Sequence, residues 1–206
     1  MTTLDKERLT QNIAVNLLII DNFYENPFEV RDFALGKHSE FISHKYHPGI
    51  RTSSYATPRH KEMFNDILEP FCGKIVGFNL NKEKNNSNGA FQLNTAKIGE
   101  KSWIHQDEGD TNWAGIIYLT PNAPLSGGTG FYKLKGGDFI ELNNNNKGID
   151  KNGYDNTKWE VVSTVGNIFN RLVLFRSNQF HMSLDYFGDD FDNGRLIQLF
   201  FLKVDG

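Results

Sequence analysis

From Ala90 onward the chain is a succession of short extended segments cut apart by Gly, Asn and Pro, and this pattern constrains the fold more than any other feature. Phe91 to Leu93, Ser102 to Gln106, Trp113 to Leu119, Phe131 to Leu134, Phe139 to Leu142, Trp159 to Val162, Leu172 to Phe175 and Leu196 to Val204 all have strand character. About eight strands joined by turns, with no helices between them, argue against a parallel α/β sheet and for a β-sandwich or jelly roll.

The segment before Ala90 reads differently. Val15 to Tyr24 is apolar and β-branched enough for a buried strand. It runs into Asn26-Pro27, where Asn26 can cap a helix that has Pro27 at its first position. Phe28, Val30, Phe33, Ala34 and Leu35 then fall at helical spacing, which predicts a short amphipathic helix over Pro27 to Leu35. His44 to Pro58 reads as a loop with short extended pieces. A second helix is predicted from His60 to Phe71, its apolar face formed by Met63, Phe64, Ile67, Leu68 and Phe71, with Gly73 as the stop. Asn79 to Asn88 is a polar loop. The expected class is mainly β (α+β), with the two N-terminal helices packed on one outer face.

At 206 residues the chain is read as one domain over residues 1–206, with a supporting strand and helices at about 15–78 and a β core at about 90–204. The 17 Phe residues supply apolar mass that a disordered chain lacks. Lys and Arg number 22 against 25 Asp and Glu, a formal charge of -3, so no general excess of positive charge is available to neutralise a phosphate backbone. A single cysteine, Cys72, excludes an internal disulfide and any multi-thiolate metal site, and fits a cytoplasmic protein. No apolar run approaches a bilayer-spanning length, and the first residues lack the pattern of a secretory leader.

Two of the six histidines, His105 and His181, sit at the edges of strand-like apolar segments. In Trp103-Ile104-His105-Gln106-Asp107 the two-residue strand period puts His105 and Asp107 on one face, with Ile104 and Gln106 on the other. An imidazole and a carboxylate from one strand, with a second imidazole from a distant one, make the facial triad that holds non-haem Fe(II). His181 is the natural third ligand. The bland reading of His-x-Asp is a partly exposed histidine with an unrelated acidic neighbour. Fourteen residues after His181 comes Gly194-Arg195, opening a strand on which Arg195, Ile197, Leu199 and Phe201 share a side. A guanidinium in that apolar row needs an anionic partner, and a dicarboxylate would supply one through the planar fork of the side chain. By contrast, His38, His44 and His47 flank flexible sequence that offers no scaffold for a metal. Gly127-Gly128-x-Gly130 lacks the Lys-Ser/Thr of a phosphate loop, so a tight turn explains it better.

With these pieces in order, the sequence resembles the 2-oxoglutarate/Fe(II)-dependent dioxygenases, and among them the prolyl-hydroxylase-like branch. His105-Gln106-Asp107 looks like the family's His-x-Asp, Ile117-Tyr118-Leu119-Thr120 like its Tyr-Leu-Asn strand, and Ser126 to Phe131 like its Gly-Gly-x-x-Phe turn. Arg171 to Phe175, His181 and Gly194-Arg195-Leu196 look like its closing strand, distal histidine and Gly-x-Arg/Lys. The resemblance covers roughly Ala90 to Val204 and implies a double-stranded β-helix, a jelly-roll barrel. It also implies Fe(II) held by His105, Asp107 and His181, 2-oxoglutarate clamped by Arg195 with help from the Tyr118 hydroxyl, and O2 as oxidant. The reaction implied is hydroxylation of a C–H bond with release of succinate and carbon dioxide. Asp107 favours hydroxylation, since a halogenating relative lacks that carboxylate. Two departures stand out: Ala96 occupies the place where many relatives carry an aromatic before the glycine that precedes His-x-Asp, and the His181–Arg195 spacing is longer than usual.

Two other classes compete: a cupin-like metal enzyme that does not use 2-oxoglutarate, and a non-catalytic jelly-roll module that binds a partner. The substrate is open between a peptidyl proline, another side chain, a nucleobase and a small metabolite. Trp103, Trp113, Tyr154 and Trp159 are candidates for an aromatic entrance and Arg51 for a place at the mouth, while Asn143 to Thr157 reads as an insertion or a lid.

Overall fold

The computed structural model describes residues 15–44, 47–82, 86–98, 102–107, 109–137 and 152–205. Its architecture follows from the alternation on the long strand β11 (Arg195–Val204). Leu196, Phe200, Leu202 and Val204 join one hydrophobic cluster, while Ile197 and Leu199 join a second. A strand buried on both faces in this way must lie in the middle of its sheet.

β11 pairs antiparallel with β6 (Trp113–Tyr118) on one side, and with β5 (Phe91–Asn94) and β4 (Ile75–Phe78) on the other. The sheet continues from β6 to β9 (Leu172–Arg176) and β1 (Leu17–Ile20), and from β5 to β3 (His47–Arg51) and β2 (Ile42–His44). A second antiparallel sheet holds β10 (His181–Ser183), β7 (Thr129–Leu134) and β8 (Trp159–Val165) in that order. The protein is therefore mainly β. The strand Phe139 to Leu142 and most of the segment Asn143 to Thr157 lie outside the described residues. Sequence reading overlooked β4 and β10, which are only four and three residues long.

One face of the large sheet, with Trp113, Ile117, Leu172, Leu174 and Phe200, shares a cluster with residues of two helices. α1 (Pro27–Leu35) gives Ala34, and α2 (Pro58–Cys72) gives Phe64, Leu68 and Cys72. The α2 N-terminus is fixed by a capping box: Thr57 Oγ1 accepts from the His60 N–H, and His60 Nδ1 accepts from the Thr57 N–H at 3.1 Å.

α1 departs from its expected amphipathic form. Phe28 and Phe33 are exposed and the buried residues are Arg31 and Ala34. Arg31 is buried because its guanidinium is satisfied by backbone: Nη1 donates to the Leu119 carbonyl at 2.7 Å and Nη2 to that of Asp192 at 2.6 Å. The exposed rings are sheltered by aromatic neighbours, Phe28 by Phe169 and Phe33 by Tyr55, at centroid distances of 4.8 and 5.0 Å. Asn26 makes no side-chain cap, although Pro27 does open the helix.

The opposite face of the large sheet turns towards the small one. Ala114, Ile116, Tyr118, Val173, Phe175, Ile197 and Leu199 cluster there with Phe131 and Val165. No helix among the described residues is long and apolar enough to cross a membrane.

Candidate metal centre and cavity

The first residue of β10 anchors the site. His181 lies opposite Phe131 on β7, and its other edge exchanges both backbone hydrogen bonds with His105, at 3.0 and 2.9 Å. The expected strand Ser102 to Gln106 is reduced to this single bridge. Its ladder changes partner along the segment: the Ile104 N–H donates to Gly153, that of His105 to His181 and that of Asp107 to Ser177. The alternation of side chains nevertheless holds for the three that matter most. Ile104 is fully buried in a cluster with Tyr132, Trp159 and Phe180, while His105 and Asp107 both face a cavity. Gln106, expected on the far side, also reaches the cavity wall, its amide donating to the Asn178 carbonyl.

The metal-ligating atoms of His105, Asp107 and His181 all lie within 4.8 Å of one another, and His181 Nε2 is 3.7 Å from Asp107 Oδ2. Each imidazole is oriented by backbone. His105 Nδ1 contacts the Trp103 carbonyl and His181 Nδ1 the Gln179 carbonyl, both at 2.9 Å. A carbonyl only accepts, so in the neutral rings the proton resides on Nδ1 and the Nε2 lone pair is left for a metal. Burial, and secondarily the charge of His181, push His105 down to about 4 against the opposing pull of Asp107. The ring is therefore neutral at neutral pH, with Nε2 free of a proton.

The cavity has a volume of about 840 Å³. The triad forms one part of its wall; Ala114, Ile116, Phe175, Ile197, Leu199 and Phe201 supply an apolar lining, and Arg51, Gln92 and Thr129 add polar groups. Arg51, expected near the mouth, is one of the residues that line the cavity. Of the four candidate entrance aromatics only Trp103 lines the cavity. Trp113 is buried on the helix side under the Arg176 guanidinium, Trp159 packs on Phe180, and Tyr154 is exposed 5.7 Å from the Trp103 ring. The group formed by His105, Asp107 and His181 does not include His38 or His47, and the His44 side chain lies outside the described residues.

Arg195 and Tyr118 are both fully buried, and neither reaches the cavity wall. Arg195 Nε donates to the Gly127 carbonyl at 2.7 Å and Nη2 to that of Gly128 at 3.2 Å, so the glycine turn acts as its cradle. Nη1 has no hydrogen-bond partner. The guanidinium carbon is 5.6 Å from the Tyr118 ring centroid, and the Tyr118 hydroxyl shares a 2.7 Å hydrogen bond with Thr129 Oγ1. Burial lowers the Arg195 pKa, opposed by the neighbouring tyrosine hydroxyls. The expected anionic partner is not supplied by any acidic side chain among the described residues. Thr129, which sequence reasoning missed, is the member of this group that lines the cavity; its signal was its place at the head of a strand directly after Gly127-Gly128.

Several solved structures share this fold. A prolyl hydroxylase from Trichoplax adhaerens, solved with a hypoxia inducible factor oxygen degradation domain peptide fragment, has a TM-score of 0.56 at 16% identity, over 100% of this chain and 94% of that one. The epimerase SnoN, solved with Fe3+, alpha ketoglutarate and nogalamycin RO, gives 0.56 at 10% identity over 98% and 85%. HygX from Streptomyces hygroscopicus, solved with nickel, 2-oxoglutarate and hygromycin B, gives 0.55 at 11% identity over 99% and 88%. No curated protein sequence matches. Residues 4–202 match a family of unknown function, DUF6445.

Proposed function

From the premise that the chain belongs to the DUF6445 family, we propose that it is a non-haem Fe(II)- and 2-oxoglutarate-dependent dioxygenase that hydroxylates a C–H bond. The observation that carries this reading is the triad: one carboxylate and two imidazoles, each imidazole with Nδ1 tied to backbone and Nε2 left available, gathered within 4.8 Å on a cavity wall. Such a set would hold non-haem iron and leave room for a chelating co-substrate and O2.

The residues fit both groups. His105, Asp107 and His181 would hold iron. Arg195 would hold the distal carboxylate of 2-oxoglutarate: its Nη1 is a buried cationic donor without a partner, beside the Tyr118 and Thr129 hydroxyls. When bound, iron supplies the activation of O2, coupled to decarboxylation of 2-oxoglutarate to succinate and carbon dioxide.

The chain's own contribution is positioning and exclusion of water. The Gly127 and Gly128 carbonyls fix two of the three guanidinium nitrogens and so aim the third. Tyr118 has a hydroxyl that can turn from Thr129 to a carboxylate oxygen. Ile116, Phe175, Ile197 and Leu199 give part of the cavity wall an apolar surface that would help to exclude water. His105, neutral at working pH, binds metal without first releasing a proton. In the same reading the two sheets form the double-stranded β-helix, the helices cover its outer face, and the chain is a single cytoplasmic domain.

The test is an anaerobic titration of the metal-free protein with Fe(II) and then 2-oxoglutarate, followed by the visible charge-transfer band. A band that forms in the wild type and is lost in His105→Ala supports the reading. Tight iron binding with no band points instead to a cupin-like enzyme, and no iron binding points to a binding module.

A further inference from the structure

Arg51 lies at the end of β3, where it pairs with Gln92 of β5 on the cavity side of the large sheet. Its Nε donates to Gln92 Oε1 at 3.0 Å, Nη2 donates to the same oxygen, and Nη1 donates to Ser87 Oγ at 3.2 Å. Gln92 cannot turn away, because its amide nitrogen is itself held by the Pro48 carbonyl at 3.1 Å and by Asn94 Oδ1 at 3.0 Å. The guanidinium is therefore locked in place by neutral groups. Three of its five N–H donors are used and two are left over, on a side chain that lines the cavity.

No carboxylate among the described residues pairs with it directly. Burial lowers the Arg51 pKa to about 10, and the one acidic group that acts on it is Asp107. The side chain stays charged at neutral pH, and among the described residues the counter-charge that acts on it belongs to the triad. Once Asp107 serves a divalent metal, that compensation is spent. Among the described residues, a divalent metal, Asp107, Arg195, Arg51 and doubly charged 2-oxoglutarate would leave one positive charge over. Glu40 also lines the cavity but does not alter the balance, since Lys37 sits 3.4 Å from its carboxylate. One further negative charge would neutralise the site.

We propose that Arg51, held by Gln92 and Ser87, anchors an oxyanion group on the substrate, a carboxylate or a phosphate, and so restricts the oxidised substrate to organic anions. This rests on the dioxygenase reading given above. Ile197, Leu199 and Phe201 line the same cavity as Arg51 and the triad, which suits a substrate whose anionic end is joined to a hydrocarbon body. A two-pronged arginine recognises both oxyanions, whereas a lysine, a single point charge, serves this geometry less well.

The experiment uses the full chain loaded with Zn(II) and saturated with 2-oxoglutarate, so that the co-substrate site is filled and no turnover occurs. Phenylacetate, its neutral amide phenylacetamide, and phenyl phosphate are titrated calorimetrically into the wild type, Arg51→Met and Arg51→Lys. The wild type is expected to bind at least one anion about tenfold tighter than the amide, Arg51→Met to lose the difference, and Arg51→Lys to restore it only in part. Whichever anion binds tighter identifies the oxyanion. Equal binding of anion and amide, no binding of either anion at millimolar concentration, or a preference that survives Arg51→Met each overturns the proposal. Fe(II) and 2-oxoglutarate titrations of the same variants separate the two readings. Loss of the charge-transfer band in the wild type defeats the dioxygenase reading itself. If the wild type forms the band and Arg51→Met weakens 2-oxoglutarate as much as Arg195→Met does, Arg51 belongs to the co-substrate and the substrate anchor is wrong.

Discussion

His105 and His181 hold one another by backbone before any metal arrives: the N–H of each donates to the carbonyl of the other, at 3.0 and 2.9 Å, and their rings lie 4.5 Å apart. The imidazoles are thus set by main chain, which separates ligand loss from misfolding. His105→Ala and His181→Ala are each expected to weaken Fe(II) binding by about a hundredfold or more while the apoprotein melts within a few degrees of wild type. Anaerobic metal titration and thermal melts of the same preparations check this. Collapse of the melting transition in either variant would show that the side chains, and not the bridge, hold the segment.

Arg195 is expected to behave differently from the ligands. Arg195→Gln should weaken 2-oxoglutarate binding by about tenfold or more, the scale of a charge-assisted pair, and leave Fe(II) affinity in its absence within about twofold. Tyr118→Phe should weaken the co-substrate less, because Thr129 keeps a hydroxyl at the same place. Equal losses of iron in both variants would mean that this group supports the metal centre instead.

Gly128 is fixed by space. A Cβ there would come within 1.9 Å of the Val165 carbonyl oxygen, backbone that cannot step aside, while the Gly128 carbonyl itself supports Arg195. Gly128→Ala is expected to cost more than about 2 kcal/mol in denaturant unfolding and to weaken 2-oxoglutarate binding as well, since the cradle moves with the turn. Retained stability would show that β7 and β8 can part at this point.

His60 gives a pH signature away from the metal site. Burial pushes it down to about 4. Its tautomer follows from its partners: Tyr24 donates its hydroxyl proton to Gln198 Oε1 at 2.6 Å, so His60 Nε2 donates to Tyr24 at 3.2 Å, and Nδ1 accepts from the Thr57 N–H. Protonation at Nδ1 breaks the cap of α2. The folded pKa lies below the unfolded value of about 6.5, so the unfolded chain binds more protons across that interval. The stability contributed is complete above about pH 6.5 and is lost as pH falls towards 4. Melting temperatures measured over that range should fall more steeply for wild type than for His60→Gln. Parallel curves would place the acid sensitivity elsewhere.

What could be read from the sequence was whatever a local pattern encodes. His105 and Asp107 two residues apart, and Ile197, Leu199 and Phe201 in step along β11, carry their relationship in the strand period, and the structure keeps both sets on the cavity wall, with Arg195 buried behind it. The orientation of α1 could not be read. Its pattern offers Phe28 and Phe33 to the core, but two carbonyls from loops far along the chain satisfy Arg31 and turn the helix over. Nor could the Arg51–Gln92 contact, which joins residues 41 positions apart through a strand pairing that no short motif announces. The role of the Gly127-Gly128 turn as a cradle for Arg195 has the same character, depending on an encounter 68 and 67 residues away.

The division of labour along β11 bears on how such a protein can change. Leu196, Phe200 and Leu202 belong to the cluster that the helices share, whereas Ile197, Leu199 and Phe201 border the cavity. Because neighbours in sequence answer to different demands, a lineage can exchange the cavity-side residues for larger, smaller or polar ones while the alternate positions go on holding the fold. New appetites can then be tried on this scaffold one residue at a time, without each trial putting the whole molecule at stake.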